Sequence, residues 1–302
     1  EFKHLGISED MLYQWGYQIK TSLDLEIQHQ AEADTKNAMS VLHDYGGNNR
    51  AMVHIDSTNG DVLAYVWSAN YNDESIDGQV DMIRAKRQPG SSIKPLIYGY
   101  YLQQVPSTID TPVYDIPFEI DGRKPNNSDG RFDGLMPLRE ALWASRNIPA
   151  IKVYLGAWAE RNIKPFLQNI GMKSIDLNHD YGYSLMLGAW ETSILEMAQS
   201  YAAYSQLGEW VPINPILELR DKHGNILYEK EVEPEPTELA PGAAWLIRDI
   251  LSNDTNAPAG WRGRYTVPGL TYAKKTWTTN KIVQENGQNR TLPADGWIAS
   301  YT

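Results

Sequence analysis

Residues 17–24 alternate apolar and polar side chains, the period of a half-buried strand, and residues 25–42 then carry apolar and alanine positions at helical spacing. From 50 to 66, two β-rich runs, AMVHIDS and DVLAYV, flank Asn59-Gly60. Both of those residues tolerate positive φ, so the pair predicts a hairpin. A second hairpin is expected at 216–219 and 226–228, around Gly224. Between the hairpins the spacing turns helical. Ser193-Ile194-Leu195-Glu196 reads as a capping box opening a helix that runs to about Leu207, and 138–155 and 238–251 repeat the helical pattern. Residues 272–280 return to β-type side chains, and 296–301 predict one more strand. The Gly-, Asn-, Asp- and Pro-rich stretch 114–135 predicts a long surface loop.

Strands, a helical middle and strands again predict an α/β chain of the α+β or three-layer type rather than a βαβ repeat. No internal repeat appears, and no linker is sharp enough to divide the chain. Composition narrows the function. At 302 residues and 42% hydrophobic the chain buries a substantial core. Acidic residues outnumber basic ones 38 to 27, for a net charge of −11, which argues against a nucleic-acid partner. The absence of cysteine excludes disulfides, thiolate zinc, iron–sulfur clusters and a cysteine nucleophile. No apolar run approaches the roughly 20 residues a membrane helix needs. The chain opens at Glu1-Phe2-Lys3 and stops at Thr302 inside an expected strand, so it reads as a piece of a longer protein. Trp 10 against Phe 4 is unusual for side chains that serve similar packing roles.

The six histidines are scattered, with no pair at i, i+4 and no HExxH, so no metal site or other cofactor is expected. The loop NNSDGRFDG lacks the ligand alternation and terminal glutamate of a calcium loop and reads as a plain turn. Neither GxxxxGK[ST] nor GxGxxG is present. The chemistry therefore rests on side chains. In RQPGSSIKP, a Pro-Gly pair precedes a helix expected to begin at Ser91, and Lys94 follows three residues on, on the same face. A serine needs an adjacent base to act as a nucleophile, and a lysine supplies one when burial and neighbouring cations lower its pKa. This is the chain's only S-x-x-K. Ser145-Arg146-Asn147 interrupts a helical stretch where Ser and Asn are unfavourable. The other two S-x-N triplets, at Ser57 and Ser68, fall in a turn and a loop. Lys275-Thr276 lies on the late strand, with a rival at Lys20-Thr21.

The ordered set S-x-x-K, S-x-N, K-T, with 54 residues from Ser91 to Ser145 and 130 from there to Lys275, resembles the motif set of penicillin-recognising serine acyltransferases. The flanking text is similar to the transpeptidase domain of class A, bifunctional penicillin-binding proteins. RQPGSSIKP resembles their nucleophile segment, and LREALWASRNIPA their second motif. NNSDGRFDGLMPLREAL resembles the stretch before that motif, LGAWETSILEMAQSYAAYSQLG their late helix, and IKTSLDLEIQHQAE their entry into the domain. The resemblance implies a three-layer fold, an antiparallel sheet with helices on both faces plus an all-helical subdomain. It places residues 1–20 at the end of an interdomain linker and 21–302 in the transpeptidase domain, without its last strand and helix.

The resemblance also implies roles. Ser91 would attack a D-Ala-D-Ala stem peptide with Lys94 as base, and Ser145 would relay the proton to the leaving amine. Asn147 would hold Lys94 and the substrate amide, and Lys275, Thr276 and Thr278 would bind the terminal carboxylate. The N–H groups of Ser91 and Thr278 would form the oxyanion hole. Partners would be peptidoglycan stem peptides and β-lactams, with other cell-wall synthesis proteins open. The site would face the outer side of the bacterial cytoplasmic membrane, attached through an N-terminal anchor and joined to a glycosyltransferase domain. A D-Ala-D-Ala carboxypeptidase of the same fold stays open. A β-lactamase would need a further carboxylate, and none is recognisable between Asn147 and Lys275.

One motif departs from the family. Where the family reads A-G-K-T-G-T-T, this chain reads Ala273-Lys274-Lys275-Thr276-Trp277-Thr278-Thr279. Trp277 places a large ring beside the carboxylate site, and if it is native the chain reads as a non-catalytic penicillin-binding sensor or scaffold. Trp15, Trp67 and Trp190 also stand where the family favours glycine or another small residue. TGA is read as Trp in some genetic codes and as Gly in a few bacterial lineages, so these residues are candidates for misread glycines. Trp297 matches a family Trp, and Trp245 is expected to be a core ring on its helix. Lys274 is not explained by misreading.

Overall fold

The computed structural model describes residues 7–157, 160–285 and 288–302. Helix α1 (Glu9–Gln14) and strand β1 (Gln18–Thr21) lead into α2 (Leu25–Asn37) and α3 (Met39–Asp44). Asp24 caps α2 by accepting from the Glu26 and Ile27 N–H groups at 2.9 and 3.0 Å. The single helix expected over 25–42 is broken at Ala38. Thr and Asn are weak helix formers, and the Ser40 hydroxyl donates to the Asn37 carbonyl at 3.3 Å, giving that end of α2 a local alternative to further helical bonding.

Strands β2 (Met52–Asp56) and β3 (Asp61–Val66) pair antiparallel, as expected. Their connection is four residues long, however, and only Gly60 takes positive φ, at 73°. Asp56 accepts from both the N–H and the hydroxyl of Thr58, which moves the corner upstream of Asn59-Gly60. Gly60 is required sterically as well, since a Cβ there would lie 2.3 Å from the Pro212 carbonyl oxygen.

The 3₁₀ turn Gly90–Ile93 runs into α4 (Lys94–Gln104), which is buried from Lys94 through Tyr100. Beyond it, β4 (Pro112–Asp115) pairs with β5 (Gly134–Pro137) across the 116–133 loop. Next come α5 (Leu138–Trp143), α6 (Asn147–Gly156), α7 (Glu160–Asn169) and α8 (Ile194–Ser205). Ser193 caps α8 by accepting from the Glu196 N–H at 3.2 Å. Glu196 does not complete the expected box. It turns instead to Lys86, Ser174 and Thr192. Strand β6 (Glu209–Trp210), the hairpin of β7 (Ile216–Arg220) with β8 (Ile226–Glu229), and β9 (Glu235–Pro236) precede α9 (Pro241–Ser252). The chain closes on the long hairpin of β10 (Ala273–Glu285) with β11 (Gln288–Tyr301).

Helices α4, α6, α8 and α9 form one core around Leu96, Ile97, Val153, Ala203 and Ile247, on which Ala273 and Tyr301 seat the last hairpin. Each large apolar side chain buried there contributes about 1.5–3 kcal/mol. The Tyr201 and Tyr204 hydroxyls donate to the Ser92 and Leu96 carbonyls at 2.8 and 2.9 Å, tying α8 to the start of α4. Residues 7–20, expected to end a linker, pack through Ile7, Met11 and Tyr17 against Leu219. Among the described residues the antiparallel strands pair as separate sheets, one of order β1-β7-β8 and the others two-stranded. The expected α+β class holds, with the hairpins set individually around the helices. Trp245 departs from expectation at 55% exposure, because α9 turns Ala243, Ala244, Ile247, Ile250 and Leu251 inward and Trp245 falls on the other face.

Candidate active site

Ser91 lies in the 3₁₀ turn one residue past Gly90, not at the first residue of an α-helix. Gly90 takes φ of 51°, and the space around it is closed on two sides. A Cβ on Gly188 would meet the Gly90 nitrogen at 2.3 Å, and a Cβ on Gly90 would meet Trp277 Cδ1 at 2.6 Å. Two backbone hydrogen bonds between Arg87 and Thr192, of 2.8 and 2.9 Å, anchor the approach to this turn.

Lys94 is fully buried. Its Nζ donates to the Ser145 carbonyl at 2.6 Å, to Asn147 Oδ1 at 2.7 Å and to Ser145 Oγ at 3.5 Å. Burial, with the cations of Lys275 and Arg146 nearby, holds its pKa well below the ordinary lysine value. Its ammonium is thus turned to the second motif, and among the described residues no hydrogen bond joins it to the Ser91 hydroxyl; the Lys94 backbone N–H donates to the Ser91 carbonyl.

Ser145 is there because the expected helix over 138–155 is interrupted. It takes φ of 58°, so α5 ends in a left-handed residue. The Ser145 N–H bonds the Leu142 carbonyl and the Arg146 N–H bonds the Ala141 carbonyl, both at 3.0 Å. That is the Schellman pattern, with serine at the position glycine normally fills. The turn aims the Ser145 side chain at two lysines. Lys275, on β10, donates to Ser145 Oγ at 2.9 Å and to the Thr276 carbonyl at 2.8 Å. Burial lowers the Lys275 pKa to about 7.

Four of the expected residues, Lys94, Ser145, Asn147 and Lys275, thus form one hydrogen-bonded cluster. Strand alternation puts Lys275 and Trp277 on the buried face of β10 and Thr276 and Thr278 on the other. No hydrogen bond joins the Thr276 or Thr278 hydroxyl to the cluster among the described residues. Trp277 is buried against Trp297, ring centroids 4.7 Å apart, and its Nε1 has no hydrogen-bond partner. Lys274 has a structural role that its spacing concealed. Its ammonium meets Asp254 at 2.8 Å, tying β10 to the short turn after α9.

Sequence reasoning missed the support beneath the second motif. Arg146 and Asn127 are both buried and both bonded to buried Asp115, within a stretch read as a long surface loop at 114–135 with a plain turn at 126–134. The only signal was a basic residue inside a serine–asparagine triplet downstream of an Asp- and Asn-rich loop.

Fold and cluster together set two lysines around a second serine, next to the turn that carries Ser91. The family described as "Penicillin binding protein transpeptidase domain" matches residues 51–302. The chain belongs to that family. It is similar to Penicillin-binding protein 1C of Escherichia coli (strain K12), at 29% identity over 255 residues, covering 81% of this chain and 31% of the relative. It thus spans about a third of the length of that protein. Among solved structures it resembles the penicillin-binding protein PonA1 from Mycobacterium tuberculosis, with TM-score 0.82 at 23% identity, covering all of this chain and 76% of that one. A second structure of PonA1, in complex with penicillin V, matches with TM-score 0.80 at 23% identity, covering all of this chain and 78% of that one.

Proposed function

We propose that this chain is a peptidoglycan DD-transpeptidase domain that works through an acyl-enzyme on Ser91 and is acylated there by β-lactams. The observation that carries the reading is the Ser145 hydroxyl held between Lys94 and Lys275, beside a turn that presents Ser91. Lys94, its pKa lowered, takes the proton from Ser91 Oγ as the oxygen bonds the penultimate D-Ala carbonyl carbon. Ser145 passes a proton to the departing D-Ala nitrogen as the C–N bond breaks. An amine from a second stem peptide then displaces Ser91 and cross-links the two peptides. Lys275, with Thr276 and Thr278, receives the donor's terminal carboxylate, and the Ser91 and Thr278 N–H groups meet the oxyanion.

On this reading residues 21–302 belong to a transpeptidase domain that continues into a further strand and helix. The parent protein adds a glycosyltransferase domain and an N-terminal anchor that holds it on the outer face of the cytoplasmic membrane. Those assignments rest on the family. No helix among the described residues is long and apolar enough to cross a membrane.

Trp277 supports a second reading, a penicillin-binding sensor or scaffold without turnover, because its ring packs against the residue preceding Ser91. Labelling with a fluorescent penicillin separates the two. Covalent labelling lost in Ser91→Ala, together with release of D-Ala from a stem pentapeptide, fits the transpeptidase. Labelling without release fits the sensor, and no labelling at all defeats the acylation reading.

A further inference from the structure

Arg146 stands between the two residues of the second motif, yet its guanidinium is committed elsewhere. Nε donates to Asp115 at 2.7 Å and lies 3.2 Å from an Asp133 carboxylate oxygen. Nη1 donates to Asp129 at 2.9 Å, and Nη2 to the Arg131 carbonyl at 2.6 Å. Its side chain is 8% exposed and that of Asp115 is 0% exposed. A buried guanidinium is tolerated only when its donors are matched, and here every nitrogen is.

The same segment grips the other side of the motif. Asp115 accepts from Asn127 Nδ2 at 2.7 Å, and Asn127 Oδ1 in turn accepts from the backbone N–H groups of Asn147 at 2.8 Å and Ile148 at 3.3 Å. The Asn126 carbonyl takes Asn147 Nδ2 at 3.0 Å, which leaves Asn147 Oδ1 facing Lys94. The left-handed Ser145 is therefore fixed from both neighbours, by the side chain of Arg146 and by the first turn of α6.

We propose that Arg146, caged by Asp115, Asp129 and Asp133, is a positioning residue that locks Ser145 and Asn147 in the geometry in which both engage Lys94. The catalytic part of this inference rests on the acyl-enzyme reading above, whereas the locking itself does not. The cage also bears on charge. Lys94 is faced by Lys275 from β10 and Arg146 from the α5–α6 link, with Asp115 of β4 behind the guanidinium. Removing the guanidinium takes away one cation and uncovers an anion, so Lys94 would retain its proton to higher pH.

The test uses the full chain as Arg146→Met, Arg146→Lys and Asp129→Asn, with two independent readouts. In Arg146→Met, amide hydrogen exchange at Asn147 and Ile148 is expected to rise at least tenfold while α8 is unchanged. The rate constant for fluorescent-penicillin labelling should fall at least tenfold with its half-saturation within twofold. The acid limb of its pH profile should move upward. Arg146→Lys, which keeps a cation, should return the limb without restoring the full rate. Asp129 is about half exposed, so Asp129→Asn should fold even if Arg146→Met does not, and should raise exchange at the same two amides about threefold. Unchanged exchange at those amides in a folded variant overturns the proposal. So does a labelling loss that only tracks a lower melting temperature, with the acid limb in place. A parent chain that never labels defeats the acyl-enzyme reading instead, and the exchange measurement still decides the locking.

Discussion

The indole of Trp277 touches Gly90, the residue immediately before Ser91, at a distance that leaves no room for a Cβ on the glycine. Nucleophile turn and β10 are thus held apart by a ring rather than by backbone. Trp277→Gly should therefore raise the labelling rate at Ser91 by about tenfold or more, read from the initial rate with a fluorescent penicillin. The ring's buried Nε1, left without a partner, is the kind of group a native site rarely tolerates. The coding triplet is informative as well. TGG at codon 277 removes the misreading explanation, and TGA is what that explanation requires.

Lys94 is expected to matter for chemistry far more than for stability. Lys94→Met removes the cost of burying an amine but leaves the Ser145 carbonyl and Asn147 Oδ1 without their donor, so its effects on stability oppose one another. The substitution should reduce acylation by about 10³-fold while the melting temperature moves by only a few degrees. A matching loss of thermal stability would point to a structural lysine.

The two lysines set opposite limbs of one pH profile. Lys94 must lose its proton to act as base, so acylation at low substrate concentration rises through its lowered pKa. Lys275 must keep its proton to attract a carboxylate, and with a value of about 7 in the free protein the profile should fall above neutral pH. Stability runs the other way. Both folded values lie below the unfolded lysine value near 10.4, so the unfolded chain binds more protons between about 7 and 10. The contribution of Lys275 to stability should accordingly increase as pH rises through that window. Melting temperatures of the parent chain and Lys275→Met, compared from pH 7 to 9, check the sign, since the variant should keep only the Lys94 part of the rise and show a shallower slope.

Much of this was readable from local pattern. The hairpins at 52–66 and 216–229, the helix at 194–205 and the three motifs all follow from residue spacing and turn chemistry. What escaped was set either by a competing local turn or by partners distant in sequence. Thr58 and Asp56 moved the 57–60 turn away from Asn59-Gly60, and the inward stripe of α9 left Trp245 outside. Lys274 made sense only once Asp254 was beside it. The plain-turn reading of 126–134 missed Asp129, Arg131 and Asp133, because nothing local announces that they receive an arginine from 13 or more residues downstream.

The left-handed turn at Ser145 has one more consequence. A non-glycine residue in that region is strained, by roughly 1 kcal/mol or more, and glycine is what such a helix terminus favours. Ser145→Gly should make the chain harder to melt and leave it unable to acylate. Selection for heat resistance alone would drive this position toward an inert protein. A screen for stabilised variants that does not also score labelling would therefore discard the very hydroxyl that Lys94 and Lys275 share.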